Sequence, residues 1–494
     1  MDPAAEPHDH RHPDQQDTAQ RAHPETSARP PSWTGEVDRL AGSVDGPVLT
    51  PGSAAYDEEV SGFNRSVTHR PAVVVGATSE ADVTRAMRFA QAHGLAVAVL
   101  STGHGPSVGA AGETLLITTH RMTGVTVDAG RATARVEAGV RFGRLVAAAA
   151  AHGLAPLAGS SPGVGVVGYT LAGGASPIMG RKYGWACDHV SAMDVVTADG
   201  TAHHVSPDDE ADLFGALLGG KSNFGVVTAM EFRLFPVTHL YAGALFFSGD
   251  HAREVLEAYG RFAAAAPDET TSGIAFLDLP PLPGLPPFLQ GGLVVSVRVS
   301  HLGPPSEGER LVAPLRRAAP VLMDTVHEMP VTDFAALTMD PSEPAAAVEH
   351  FGLLRELSRK TIDAVLDTVG PSADSSVNLF DLRALGGAFG NSPATPNAVG
   401  GRDAAYAFFA LTIVPPGHDV AAYADSGREL VERLRPWLGP GKHPNFLAPA
   451  DSTLQATREA YDPEVYARLR ALKTVYDPEN RLRVNHNIPP LRAA

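Results

Sequence analysis

The chain has 494 residues, 44% hydrophobic and 19% charged, with 39 basic against 55 acidic side chains and a formal charge of −16. That length allows two or three domains with a large core, and the acidic balance argues against a nucleic-acid partner, which needs a concentrated basic face. The single cysteine, Cys187, excludes an intramolecular disulfide and any multi-cysteine zinc site, and 49 glycines with 41 prolines exceed the usual shares of roughly 7% and 5%.

Residues 1–34 are rich in Pro, His, Asp, Gln and Thr, with almost no large apolar side chains, and read as a disordered tail. The run His8–His12 lacks a preformed geometry, so no metal site is expected there. The tail carries no basic-then-apolar signal pattern, and no run of 18 apolar residues follows. A cytoplasmic protein without a membrane partner is expected.

Ala72–Val75 reads as a buried strand. Ser79 then caps a helix whose apolar positions Val83, Ala86, Met87 and Ala90 fall on one face, closed by Gly94. Leu95–Leu100 is a second buried strand, so the unit is βαβ with a parallel pair. Short strands follow at 115–119, 124–128 and 133–139, then a helix from Arg141 to His152. Asp199-Gly200 marks a hairpin between strands at 190–197 and 201–205. A helix at 210–218 leads to a strand ending at Leu234.

The second region, 238–449, predicts strands at 293–300, 377–383 and 404–414, with helices over 344–366 and 420–438. Its composition fits a substrate domain built on an antiparallel sheet. A helix at 463–473 and an extended tail, Arg483–Pro490, close the chain.

Two loops carry the chemical signal. Ser101–Gly109, STGHGPSVG, follows a buried parallel strand, where ligands of α/β folds commonly bind. It reads either as a plain tight turn or as a nest of backbone N–H groups for a pyrophosphate, with His104 as a nucleophile toward a bound cofactor. It is neither a Rossmann fingerprint nor a Walker loop. The second, Gly159–Ser176, holds six glycines among apolar residues that want burial, so a flat ligand can lie against its backbone.

Together PAVVVGATSEADVTRAMRFAQAHGLAVAVLSTGHG, SSPGVGVVGYTLAGG, RKYGWACDHVSAMDVVTADG, GGKSNFGVVT and YDPENRLRVNHNIPP resemble the berberine bridge enzyme-like branch of the vanillyl-alcohol oxidase/p-cresol methylhydroxylase superfamily. The resemblance implies an α+β fold: a two-part FAD-binding domain of the p-cresol methylhydroxylase type (35–237, with 450–494 returning to it) and a substrate domain (238–449) whose antiparallel sheet is covered by helices. It implies FAD, with the pyrophosphate on Leu100, Ser101, Thr102, Gly103, His104 and Gly105. His104 stands where the family attaches its flavin to a histidine. Ser161, Gly163, Val164, Gly165 and Gly168 would line the isoalloxazine and ribityl chain. Gly173, Gly174, Tyr183, Asp188 and Val190 would follow the phosphate and adenosine half, Gly225, Val226 and Val227 the adenine. Asn485 and Asn487 would return near the ring.

Two departures from the family pattern matter. Ser161 stands where doubly tethered members carry cysteine, so a single link through His104 is expected, with Cys187 a small core residue. Phe446 stands where many members place a tyrosine, removing that hydroxyl. Val164 at the position that controls oxygen access implies an oxidase, with hydride passing from substrate to flavin N5 and O2 reduced to hydrogen peroxide.

A base must reach the proton that leaves with the hydride. Tyr406, Asp381 and Tyr461 are the main candidates, with Arg383, His301 and Tyr466 behind them; each reads equally as core residue or, for Asp381 and Arg383, as a surface ion pair. Phe408, Phe409, Phe446 and Leu447 suggest a pocket for a hydrophobic or polycyclic small molecule. A flavin-containing cyclase or isomerase without net redox change, and a flavin carrier, are the alternatives.

Overall fold

The computed structural model describes residues 33–280 and 286–491. Three sheets organise them. The first runs Val48–Leu49, Arg70–Gly76, Ala111–Thr118, Ala96–Leu100, its last three strands parallel. The helix Glu80–His93 covers it, with Ser79 Oγ accepting from Asp82 N and Gly94 in the left-handed conformation as its stop. Val83, Ala86, Met87 and Ala90 are fully buried. The 70–76 and 96–100 strands are parallel but not neighbours. The 111–118 strand inserts between them, so the expected adjacent βαβ pair is split.

The second sheet is antiparallel, ordered Val125–Asp128, Thr133–Glu137, Val226–Arg233, Val190–Val196, Ala202–Val205. Val196 and Val226 join the core of the first sheet, fastening the two together. The expected tail 1–34 lies outside the described residues except at its end, where the boundary moves. Trp33 is buried in that core, edge-on to Phe89 with ring centroids 6.5 Å apart.

The third sheet has eight antiparallel strands, in the order Val321–Asp324, His239–Ser248, Val294–His301, Thr270–Leu277, Leu379–Ala384, Tyr406–Val414 and Ala346–Leu354; His327–Pro330 also pairs with His239–Ser248. The helix expected over 344–366 is corrected here. Ala346–Leu354 is a strand and the helix is Arg359–Val369, capped by Ser358. Four alanines raise helix propensity in that window, but nine paired positions along Tyr406–Val414 override it. The helix expected over 420–438 contracts to Asp425–Leu434 between two short 3-10 turns.

Strand alternation divides this sheet. Ile274, Phe276, Val297, Val299, Phe380, Leu382 and Phe408 share a core with the helices Ala252–Ala265 and Arg359–Val369. Leu240, Phe351, Leu353 and Ala407 face the other way, into the core built around residues 134–237.

The chain end is laced into the beginning. Lys473, fully buried, pairs with Asp477 at 2.7 Å and donates to the carbonyls of Asn223 (2.7 Å) and Leu482 (3.0 Å). Asp477 accepts from the Arg481 and Leu482 amides, and Arg481 reaches the carbonyls of Ala90 and Leu95. Lys473→Met strands a buried carboxylate, and the expected loss is about 3–5 kcal/mol in denaturant unfolding. Adding Asp477→Asn restores part of it; an unchanged midpoint in the single variant contradicts the clamp.

Candidate active site

The site is assembled where the two glycine-bearing loops, the C-terminal segment and the inner face of the eight-stranded sheet meet. Phe63 N donates to Thr102 O and Asn64 N to Gly103 O, pinning the 101–105 loop. Gly103 has φ +68°, and a Cβ there would lie 2.5 Å from Gly62 Cα, so glycine is required. His104 stacks on Phe63 with ring centroids 4.1 Å apart and planes 7° from parallel. Its Nδ1 is 2.8 Å from Thr102 Oγ1, while Nε2 is buried without a partner and faces Gly163. Burial, helped by Arg141, lowers the His104 pKa to about 4, so the imidazole is neutral.

The 159–174 loop runs beside it. Gly165 lies against Ser101 and Thr102, and Ser161 Oγ accepts from Gly163 N. Val164 is half-buried, its carbonyl accepting from Phe142 N. A Cβ on Gly168 would meet nothing within 4 Å, and one on Gly105 only Asn445 O. Asn445 binds the loop from the far side, accepting from Gly174 N (2.7 Å) and donating to Tyr169 O (2.8 Å).

Around this seam, buried polar atoms lack protein partners: His104 Nε2, the Tyr169 hydroxyl, His443 Nε2, Asn485 Oδ1 and Asn487 Oδ1. Such atoms are costly unless something else satisfies them. Their spread along two backbone-lined loops fits a long, flat, polar-edged cofactor such as FAD. The 100–105 segment, Leu100, Ser101, Thr102, Gly103, His104 and Gly105, is brought against the segment of Ser161, Gly163, Val164, Gly165 and Gly168, while Gly173 and Gly174 pack on His443, Val399, Ala186 and Tyr169. Asn485 joins them through Ser222 Oγ and the Leu482 carbonyl, with Asn487 two residues on.

Other expected contacts are drawn elsewhere. Both Asp188 oxygens are taken by the Arg402 guanidinium at 2.7 and 2.8 Å, and Asn397 adds a third bond. That carboxylate ties two chain segments together. The Tyr183 ring packs on Phe235 at 4.0 Å between centroids, and Val190 is buried at a strand start. At Gly225 a Cβ would collide with Val195 and Val196, so Gly225, Val226 and Val227 serve the join between sheets at their side-chain positions. Cys187 is buried.

The base candidates separate by strand parity. Tyr406 belongs to the helix-covered core with Phe408, on the face turned away from the site, and is corrected as a catalytic residue. Tyr461 donates to Gly219 O at 2.9 Å and stacks with Tyr466, so both are structural. His301 is buried against Thr270 and approaches Glu307. Asp381 does face the site, but it is a buried, not a surface, ion partner of Arg298 and Arg383. Burial opposes its charge, yet the two guanidiniums prevail and hold its carboxyl below the ordinary range, which makes it a poor proton acceptor. Arg383 also lies over the Phe446 ring, 5.5 Å from its centroid. Of the expected apolar wall, Phe409 and Phe446 are in place, and Phe351 stacks on Phe446 at 4.7 Å. Phe408 and Leu447 are core.

Sequence reasoning passed over Glu349 and Lys221. Glu349, half-buried on the site side of its strand and held by Asn64 Nδ2 at 3.1 Å, has its pKa raised by burial to about 7. Lys221 sits at φ +57°, ψ −139°, a conformation that normally demands glycine. Its ammonium, lowered by burial to about 8, reaches only Pro444 O, at 3.4 Å, among the described residues. A lysine inside GGKSNFG was the available signal.

Residues 71–206 match the model of the FAD binding domain, and 445–489 that of the family described as berberine and berberine like. The chain is 28% identical to (R)-6-hydroxynicotine oxidase of Paenarthrobacter nicotinovorans, over 91% of this chain and 97% of that protein. It is 27% identical to a chitooligosaccharide oxidase of Gibberella zeae, over 90% and 92%. The crystal structure of 6-hydroxy-D-nicotine oxidase from Arthrobacter nicotinovorans superposes with a TM-score of 0.77 at 26% identity, covering 91% of this chain and 99% of that one. The fold is shared also with a xylooligosaccharide oxidase of Myceliophthora thermophila, with a TM-score of 0.80 at 19% identity, covering 92% of this chain and all of that one. With loops, orphaned polar atoms and matched segments in agreement, the chain is an FAD-dependent oxidoreductase that carries an FAD-binding domain and a berberine-like C-terminal segment.

Proposed function

We propose that the protein is an oxidase of a small, largely apolar metabolite, using FAD tethered once, through His104, with O2 as the final acceptor. The observation that carries this reading is the His104 imidazole: neutral, stacked on Phe63, and presenting a buried nitrogen with no protein partner beside Gly163. A neutral ring nitrogen keeps the lone pair a nucleophile needs. Ser161 at the second attachment position supports a single tether, and the named activities of the relatives support oxidation of small molecules.

When bound, FAD supplies a two-electron acceptor for a substrate hydride and passes those electrons to O2, giving hydrogen peroxide. The chain's own residues do the rest. Backbone amides of 100–105 and the glycine-lined 163–174 stretch hold the cofactor. Phe409 and Phe446, the latter backed by the buried Phe351 ring, form an aromatic wall for an apolar substrate body. Glu349 takes the proton, because Asp381 is saturated by arginines, Tyr406 faces away, and Phe446 has no hydroxyl. Its proton affinity near neutrality suits a base working at physiological pH.

Wild-type protein precipitated in acid is expected to remain yellow, and His104→Ala to release its flavin into the supernatant; a colourless wild-type pellet refutes the tether. Anaerobic substrate bleaches the flavin if the enzyme is an oxidase, and turnover without bleaching indicates a cyclase. In kcat/KM profiles, a rising limb near pH 7 is expected as Glu349 loses its proton, and Glu349→Gln removes that limb with a loss of at least about tenfold at pH 8. Stability carries the opposite sign. A carboxyl whose folded-state pKa is raised costs stability as pH climbs from its ordinary value of 4.5 to about 7. Glu349→Gln therefore raises Tm at pH 8 and leaves it nearly unchanged at pH 4.5.

A further inference from the structure

A narrow cavity of about 20 Å3 opens beside the second glycine loop, bounded by Ser176, Thr271, Leu337, Thr338, Leu385 and Phe389. Thr338 donates to Ser160 O at 3.1 Å, which joins this cavity to the loop proposed to hold the cofactor. Arg298 and Arg383 also line it, entering from the site face of the two strands that flank Thr270–Leu277, where both sit opposite Gly273. Both guanidiniums grip Asp381 between them: Arg383 Nε donates to Oδ2 at 2.8 Å and Arg298 Nη2 to Oδ1. The Asp381 side chain is 2% exposed, those of Arg298 and Arg383 11% and 20%.

One carboxylate cannot balance two guanidiniums, so the group carries a net positive charge inside a largely apolar wall. Asp340, the other carboxylate acting on Arg383, is exposed to water. Each guanidinium has five N–H donors. Apart from the bonds to Asp381, neither arginine has a hydrogen bond to an acceptor among the described residues, and none of their nitrogens is a buried atom without a partner. Their remaining donors are thus free of protein acceptors among the described residues, and both side chains border the cavity. Asp381 fixes both planes, so little side-chain freedom is lost when a planar anion docks.

We propose that the substrate carries a carboxylate, seated on Arg298 and Arg383, with its apolar body against Phe409 and Phe446. This rests on the proposed oxidase reading and names its substrate class. The anion completes an alternation of charge that the protein leaves one partner short. Arg383, lying over Phe446, links the anion seat to the aromatic wall.

The test titrates purified holoenzyme with benzoate, its neutral isostere benzamide, and phenyl phosphate, read by calorimetry and by perturbation of the flavin absorbance. Benzoate is expected to bind at least tenfold more tightly than benzamide. Arg298→Met should bring benzoate down to the affinity of benzamide while benzamide itself is unchanged. Arg383→Lys keeps the charge and loses the fork, and should weaken benzoate at least threefold with the fold intact by circular dichroism. Equal affinity for benzoate and benzamide, no measurable benzoate binding, or benzoate affinity unmoved in Arg383→Lys overturns the proposal. Phenyl phosphate binding more tightly than benzoate overturns the carboxylate assignment. Calorimetry reads the anion seat without the flavin. Loss of charge discrimination therefore overturns the anion seat alone, whereas a flavin that anaerobic substrate fails to bleach overturns the oxidase reading.

Discussion

The two-residue period of the eight-stranded sheet governs this molecule. Each strand sends alternate side chains into a helix-packed core and into the seam with residues 33–237. A shift of one residue in any strand would exchange the two sets, placing Phe380 and Leu382 in the seam and Asp381 in oil. Register with both neighbouring strands prevents this along Leu379–Ala384. The chemistry of the seam is thus a by-product of which parity is apolar. Helices demand Val, Ile and Phe on one face, and the other face is free to carry Arg298, Glu349, Asp381 and Arg383.

That freedom has an electrostatic character. His104, His443 and His486 are all held neutral by burial, at about 4, 3 and 4. The seam resists charge except where a partner is built in, as at Asp381, or where backbone strain fixes a side chain, as at Lys221. An ammonium beside two neutral imidazoles and a carboxyl poised near neutrality give the site two groups able to change protonation under physiological conditions.

Much of the cofactor cradle was legible in the sequence because glycine carries its meaning locally. A loop such as Ser101–Gly109 declares close backbone approach without reference to any distant residue. The helix Glu80–His93, with its cap and stop, was legible for the same reason. What failed was non-local. Ala346–Leu354 has helical composition and is a strand only because Tyr406–Val414 pairs with it, and that misreading hid Glu349. Tyr406 looked chemical because a tyrosine in a strand has no visible face until register is known. Asp188 looked like a ligand contact because its partner, Arg402, lies 214 residues away.

The same long reach bears on how the protein is made. The 219–225 loop is held by Lys473, 250 residues downstream, and by Ile488 through the Asn223 side chain. While a ribosome is still translating the eight-stranded sheet, neither contact exists, and the 101–105 loop lacks the Asn445 segment beside it. The cradle is closed by the last part of the chain to emerge. A polypeptide interrupted before residues 445–488 leave the exit tunnel has most of its strands and helices but lacks these contacts to the cradle.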